Sequence, residues 1–165
     1  MTEGSQLEIK PFAPAQADQV PGLILPIQRD EFGINITLQN QPDLLDIPGF
    51  YQKGAGNFWL ALLGGQVIGS ISLLDIGNRQ AALRKMFVAQ PFRGAPPHPA
   101  AALLQELFSW SRAQGLAEIF LGATDKFKAA HRFYEKNGFR EITKPELPPA
   151  FPVMSVDSKF YQYTL

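Results

Sequence analysis

The sequence predicts one domain, residues 1–165, of mixed α/β (α+β) class on a mixed sheet. Two observations predict it. Between residues 58 and 88, apolar runs are separated by Gly64-Gly65 and Gly77-Asn78, two-residue turns of the kind that joins antiparallel strands. After Val88 the apolar period lengthens to that of helices, and short apolar strands alternate with them in a β-helix-β-helix-β order.

Taken in order, residues 7–12 alternate apolar and polar and read as a strand ending near Pro11. Residues 15–31 have a mixed period and contain Pro21 and Pro26, so they hold one or two short helices. Residues 42–51 open on Pro-Asp and stop at Pro48-Gly49, room for a helical turn or two. Gly54-Ala55-Gly56-Asn57 then makes a flexible connection. Residues 58–63 and 66–76 form a hairpin, and 80–88 adds the third strand of a meander. Residues 100–114 place Leu103, Leu107, Trp110 and Ala113 on one face before Gly115, an amphipathic helix with a glycine stop. Residues 117–121 make a short buried strand, and residues 126–136 a second helix with Phe127, Ala130 and Tyr134 near one face and Gly138 at its end. Another strand starts over 139–142, and a Pro-rich loop separates it from a last strand over 158–165.

Composition narrows the function. At 45% hydrophobic and 18% charged residues the chain folds by itself around one core. It has no cysteine, which excludes disulfides, thiolate metal sites and a cysteine nucleophile, and with only His98 and His131 no metal centre is expected. The N-terminus shows no basic segment followed by an apolar stretch, so the expected location is cytoplasmic. The most apolar stretch, 58–76, is broken by glycines, serines and Asp75 and is no membrane span. A net charge of zero argues against a nucleic-acid partner. Residues 1–60 nevertheless hold seven acids against three bases, leaving the remainder with a net +4.

Three segments, in order, carry a family pattern: KMFVAQPFRG at 85–94, the following helix with Gly115, and AAHRFYEKNGF at 129–139. Their types, order and spacing resemble the GNAT acyl-CoA N-acyltransferase superfamily over residues 58–140. The resemblance implies a mostly antiparallel mixed sheet with helices on both faces, in which the strands at 80–88 and 117–121 splay apart at one end. It implies acetyl-CoA as acyl donor and an amine as acceptor. The pantetheine arm would enter the splay and bond the main chain of Met86, Phe87 and Val88 like an added strand. The pyrophosphate would lie on the loop and helix start after Arg93-Gly94, where free amides and the helix dipole favour an anion. The family pattern there is glycine-rich, whereas this chain reads Arg93-Gly94-Ala95-Pro96-Pro97-His98-Pro99-Ala100. Three prolines donate no N–H, which predicts weakened affinity for CoA, held by Arg93, His98 and the amides of Gly94, Ala95, His98 and Ala100. Tyr134 stands where the family places a general acid for the CoA thiolate, and Ala130 fits the small residue beside the cofactor. The asparagine usual seven residues before the tyrosine is Phe127 here.

For the base that frees the amine, the family's usual strand carboxylate is replaced by Ala81, Ala82 and Leu83. Asp75, Asp30, Glu31 and His131 remain as alternatives, although Asp75 equally suits a turn cap and His131 the surface of a helix. Asp30, Glu31, Asp43 and Asp46 are placed to attract a cationic amine, with Phe50, Tyr51 and Trp59 as its wall. Two functions stay open: an active N-acetyltransferase and a weak or inactive relative that serves as a CoA-binding or interaction module; a homodimer through an exposed C-terminal strand would suit the fold.

Overall fold

A computed structural model describes residues 6–94, 96–125, 128–154 and 156–165. Strand β1 (Leu7–Pro11) leads through a single turn into α1 (Gln19–Pro26), which continues as a wider π-helical turn over Ile27–Glu31. Two one-turn helices follow, α2 (Pro42–Leu45) and α3 (Ile47–Phe50), then the meander β2 (Asn57–Leu63), β3 (Gln66–Gly77) and β4 (Gln80–Val88). The second half is α4 (Pro99–Ala113), β5 (Glu118–Ala123), α5 (Lys128–Lys136), β6 (Arg140–Ile142) and β7 (Lys159–Thr164). All seven strands form one sheet in the order β1-β2-β3-β4-β5-β7-β6, antiparallel except for the β4–β5 pair.

The unbroken apolar run of β2 is explained by burial on both faces. Trp59 and Ala61 join a core with Leu103, Leu107 and Phe108 of α4, while Phe58, Leu60 and Leu62 join a second core with Val20, Leu23 and Ile24 of α1. Trp59 and Tyr51 therefore lie on opposite faces, and the three-aromatic acceptor wall does not exist. The inner stripe of α4 is Leu103, Leu104, Leu107, Phe108 and Ser111, whereas Ala113 is exposed, because the buried face follows i, i+1, i+4, i+5, i+8.

Several boundaries differ from the sequence reading. The β3–β4 turn is Asn78-Arg79, both at positive φ, as a tight hairpin turn of this hand requires; Gly77 still belongs to the strand. β5 runs two residues further than 121, to Ala123. The Gly54–Asn57 connection is pinned, not flexible: Asp75 Oδ2 accepts from Ala55 N at 3.0 Å and Trp110 Nε1 donates to Ala55 O at 2.8 Å. Asp75 also accepts from Gly77 N at 2.9 Å, so its carboxylate is a structural clamp with both oxygens engaged. The last strand is not exposed but lies between β5 and β6, which leaves β1 and β6 as the edges. Among the described residues, no helix is long and apolar enough to cross a membrane.

Candidate active site

Two features of β4 create the site. The first is a bulge: Ser70 pairs with Phe87 and Ser72 with Arg84, so two residues, Lys85 and Met86, stand opposite one. Lys85 takes a φ of +52°, uncommon for a residue with a side chain. The buried hydroxyls of Ser70 and Ser72 donate to Lys85 O and Arg84 O, each at 2.7 Å, and satisfy carbonyls that the bulge removes from the ladder. The second is a splay. β4 pairs with β5 only at Gln80, Ala81 and Ala82, and beyond these the two strands part, as the resemblance implies.

Two clefts open from that gap and share Met86, Phe87, Ala130 and Tyr134. The smaller, about 500 Å³, is lined by Met86, Phe87 and Val88 of β4, Arg93, Gly94 and Ala100 at the head of α4, and Ala129, Ala130, Phe133 and Tyr134 of α5. The larger, about 790 Å³, lies between residues 83–87 of β4, the end of β5 with Gly122 to Thr124, and the loop before β7.

The sequence-derived donor residues Met86, Phe87, Val88, Arg93, Gly94, Ala100 and Ala130 all line the smaller cleft together with Tyr134. His98 does not; it is exposed, in the left-handed region at the N-cap of α4, followed by Pro99 at the first helical position. Ala95, Lys126 and Phe127 lie outside the described residues. Ala100 and Ala101 have amides in the first turn of α4, where the helix supplies no acceptor. Arg93 is engaged: Nη1 and Nη2 fork onto the Glu31 carboxylate at 2.6 and 3.1 Å, and Nε donates to Val88 O at 2.7 Å. Phe133 packs against the core and also lines this cleft.

Tyr134 is 6% exposed, and its hydroxyl makes no hydrogen bond among the described residues. Burial pushes its phenol well above the ordinary value, so it stays protonated at neutral pH. His131, read as a base or a surface residue, is neither: it is buried, and Nε2 donates to Thr124 O at 2.9 Å, tying α5 to the end of β5. Asp43 is buried as well. Its Oδ2 accepts from Tyr51 OH at 2.6 Å and lies 3.5 Å from Lys85 Nζ and 3.9 Å from an Arg84 nitrogen. Burial raises the Tyr51 phenol and lowers the Lys85 ammonium, the latter opposed by the Asp43 charge. Sequence reasoning missed this cluster, although two adjacent cations inside the apolar string of β4 were its visible signal.

The opened strand pair, flanked by two clefts with a buried tyrosine between them, is an architecture suited to joining two substrates across the sheet. The chain belongs to the acetyltransferase (GNAT) family, whose pattern matches residues 24–139. It is 36% identical to a GNAT-family acetyltransferase from Staphylococcus aureus Mu50, with a TM-score of 0.91 over 96% of this chain and 99% of that one. An acetyltransferase from Streptococcus agalactiae 2603 is 34% identical with the same TM-score of 0.91, over 99% and 100% of the two chains. Among curated proteins, 106 residues are 34% identical to the N-acetylaspartate synthetase of Danio rerio, covering 63% of this chain but only 37% of that protein.

Proposed function

We propose that this protein transfers the acetyl group of acetyl-CoA directly to a primary amine, with Tyr134 as general acid. The observation that carries this reading is the position of Tyr134, on the wall of both clefts beside the opened end of β4. The smaller cleft takes the pantetheine arm along residues 86–88, and the head of α4 takes the pyrophosphate through Gly94 and Ala100. The amine enters from the larger cavity. Its nitrogen forms the C–N bond at the thioester carbonyl, the C–S bond breaks, and Tyr134 gives its proton to the departing thiolate. The surplus proton on the new amide nitrogen replaces the one the tyrosine gave. Relatives named as N-acetylaspartate synthetases and N-acetyltransferases support nitrogen as the acceptor atom. Acetyltransferases from Thermoplasma acidophilum and Elizabethkingia anophelis are known with coenzyme A and acetyl-CoA bound, although at 15% and 16% identity they share only the fold.

The test is a pair of measurements. Acetyl-CoA at sub-millimolar concentration should raise the thermal unfolding midpoint, and thiol release should follow when amines are added. A second reading, a CoA-binding module without catalysis, draws on Pro96, Pro97 and Pro99 and on the engaged Arg93. It predicts stabilisation by acetyl-CoA and no thiol release with any amine.

A further inference from the structure

Three of the four acidic residues expected to attract a cationic acceptor are occupied elsewhere, and the fourth, Asp30, is exposed and does not line the larger cavity. Asp43 is shared by Tyr51, Lys85 and Arg84; Asp46 Oδ1 accepts from Gly49 N at 3.1 Å and caps α3; Glu31 holds Arg93. The larger cavity instead carries Arg84 and Lys85 on its β4 wall and Asp157 on the loop before β7. Lys85 is engaged by a short bond to Gln41 Oε1 at 2.7 Å and by Asp43 at 3.5 Å. Arg84 is held more loosely. Its side chain is 14% exposed, its ion pair with Asp43 is long at 3.9 Å, one nitrogen donates to Met154 Sδ at 3.8 Å, and its guanidinium lies over the Phe50 ring at 5.7 Å. A planar fork of five donors is thus spent on a weak acceptor and a distant carboxylate, in a place largely shielded from water.

Asp157 stands across from it. Its Oδ2 accepts from Met154 N at 2.9 Å, the residue whose sulfur meets Arg84. The carboxylate rests on Gly122 of β5 at the mouth of the splay, where a Cβ would come within 2.6 Å of Oδ2 and would push the carboxylate aside. Burial raises its pKa above the usual carboxylate range, opposed by the Met154 amide and the Arg84 charge. Arg84 is the charged group acting on it from β4; the end of β5 presents Gly122 and Ala123.

We propose that the acceptor is an amino acid, its carboxylate bound by the Arg84 fork and its ammonium bound and deprotonated by Asp157. This rests on the acetyl-transfer reading above. Asp157 takes one proton from the ammonium, breaking N–H and forming O–H, the freed amine attacks as described, and Asp157 later returns that proton to solvent.

The experiment compares a panel of amino acids, the matching α-carboxamides and spermidine by thiol release at saturating acetyl-CoA, in the wild type, Arg84→Gln and Asp157→Asn. Calorimetry with acetyl-CoA accompanies each protein. Amino acids should exceed their carboxamides in kcat/KM by on the order of tenfold or more in the wild type. Arg84→Gln should raise KM for the amino acid by roughly 10–100-fold while leaving the carboxamide KM and acetyl-CoA affinity in place. Asp157→Asn should lower kcat and erase the acidic limb of the kcat/KM profile, which in the wild type falls as Asp157 gains its proton. Carboxamides or spermidine reacting as well as amino acids in the wild type overturn the proposal, even where a variant fails to fold. If acetyl-CoA binds and no amine reacts, the heats of N-acetylalanine and N-acetylalaninamide with the CoA-saturated protein decide, and equal affinities overturn it. Failure of acetyl-CoA to bind at all strikes instead at the transfer reading.

Discussion

The donor cleft and the acceptor cavity share four residues and a gap in the sheet, yet they are built from different materials. The donor side is mostly main chain and small or apolar side chains, strand residues 86–88, Gly94, Ala100, Ala129 and Ala130, with Glu31, Arg93 and Lys128 as its charged members, and most of it is drawn from two short continuous segments. The acceptor side is charge and amide: Arg84 and Lys85 from β4, Asp157 from the loop before β7, Gln28 and Asn40 from the first quarter of the chain. A ligand bound through backbone amides demands glycine, alanine and fixed spacing, and so leaves a motif. A ligand bound by side chains needs only that some segment bring a suitable group, and leaves none.

That contrast can be broken. Tyr134→Phe removes the hydroxyl proposed above as proton donor, on the wall both clefts share, and should cut kcat by about 10²–10⁴-fold in a thiol-release assay while calorimetry finds acetyl-CoA affinity unchanged; a small loss would mean that solvent protonates the thiolate. Asp43→Asn keeps the shape of the acceptor wall but leaves Lys85 and Arg84 without their buried anion. It should cost about 3 kcal/mol, lowering the thermal midpoint by roughly 10 °C, and should spare acetyl-CoA binding. Glu31→Gln releases Arg93 from its carboxylate fork and should tighten acetyl-CoA binding about two- to fivefold by calorimetry; unchanged or weaker binding would remove Arg93 from the phosphate site. Met86→Leu, on a strand that acts through its backbone, should alter acetyl-CoA affinity by less than about twofold.

Legibility follows the same division. The hairpins could be read because Gly64-Gly65 and Asn78 sit where positive φ is needed, although the second turn lies one residue later than Gly77-Asn78, and the donor motif could be read because its spacing is rigid. The bulge was half visible: Ser70 and Ser72 interrupt an apolar strand, and two hydroxyls at 0% exposure must find acceptors, but nothing local says that these are the carbonyls of Arg84 and Lys85. Arg84 and Lys85 were passed over because a basic pair reads equally as a solvated edge. Asp157 had no signal, since its role depends on Gly122, 35 positions earlier in the chain and brought beside it by the β5–β7 pairing. The acidic first third was a coarse signal because net charge counts residues, whereas attraction depends on which carboxylates remain unpaired, and Asp43, Asp46 and Glu31 are engaged.

The order β5-β7-β6 sets a schedule for folding. β6 pairs only with β7, and β5 shares just three residue pairs with β4, so both wait for a segment that follows β6 by sixteen residues. Until β7 inserts, β5 and β6 present unpaired main chain, a template for association with other chains. The same insertion seats Ser158 N on Ala123 O at 3.0 Å, immediately beside Asp157. Completion of the sheet and the placement of Asp157 beside Gly122 therefore depend on the same strand, and a chain lacking β7 would keep the cleft between β4, α4 and α5 but lose that wall of the larger cavity.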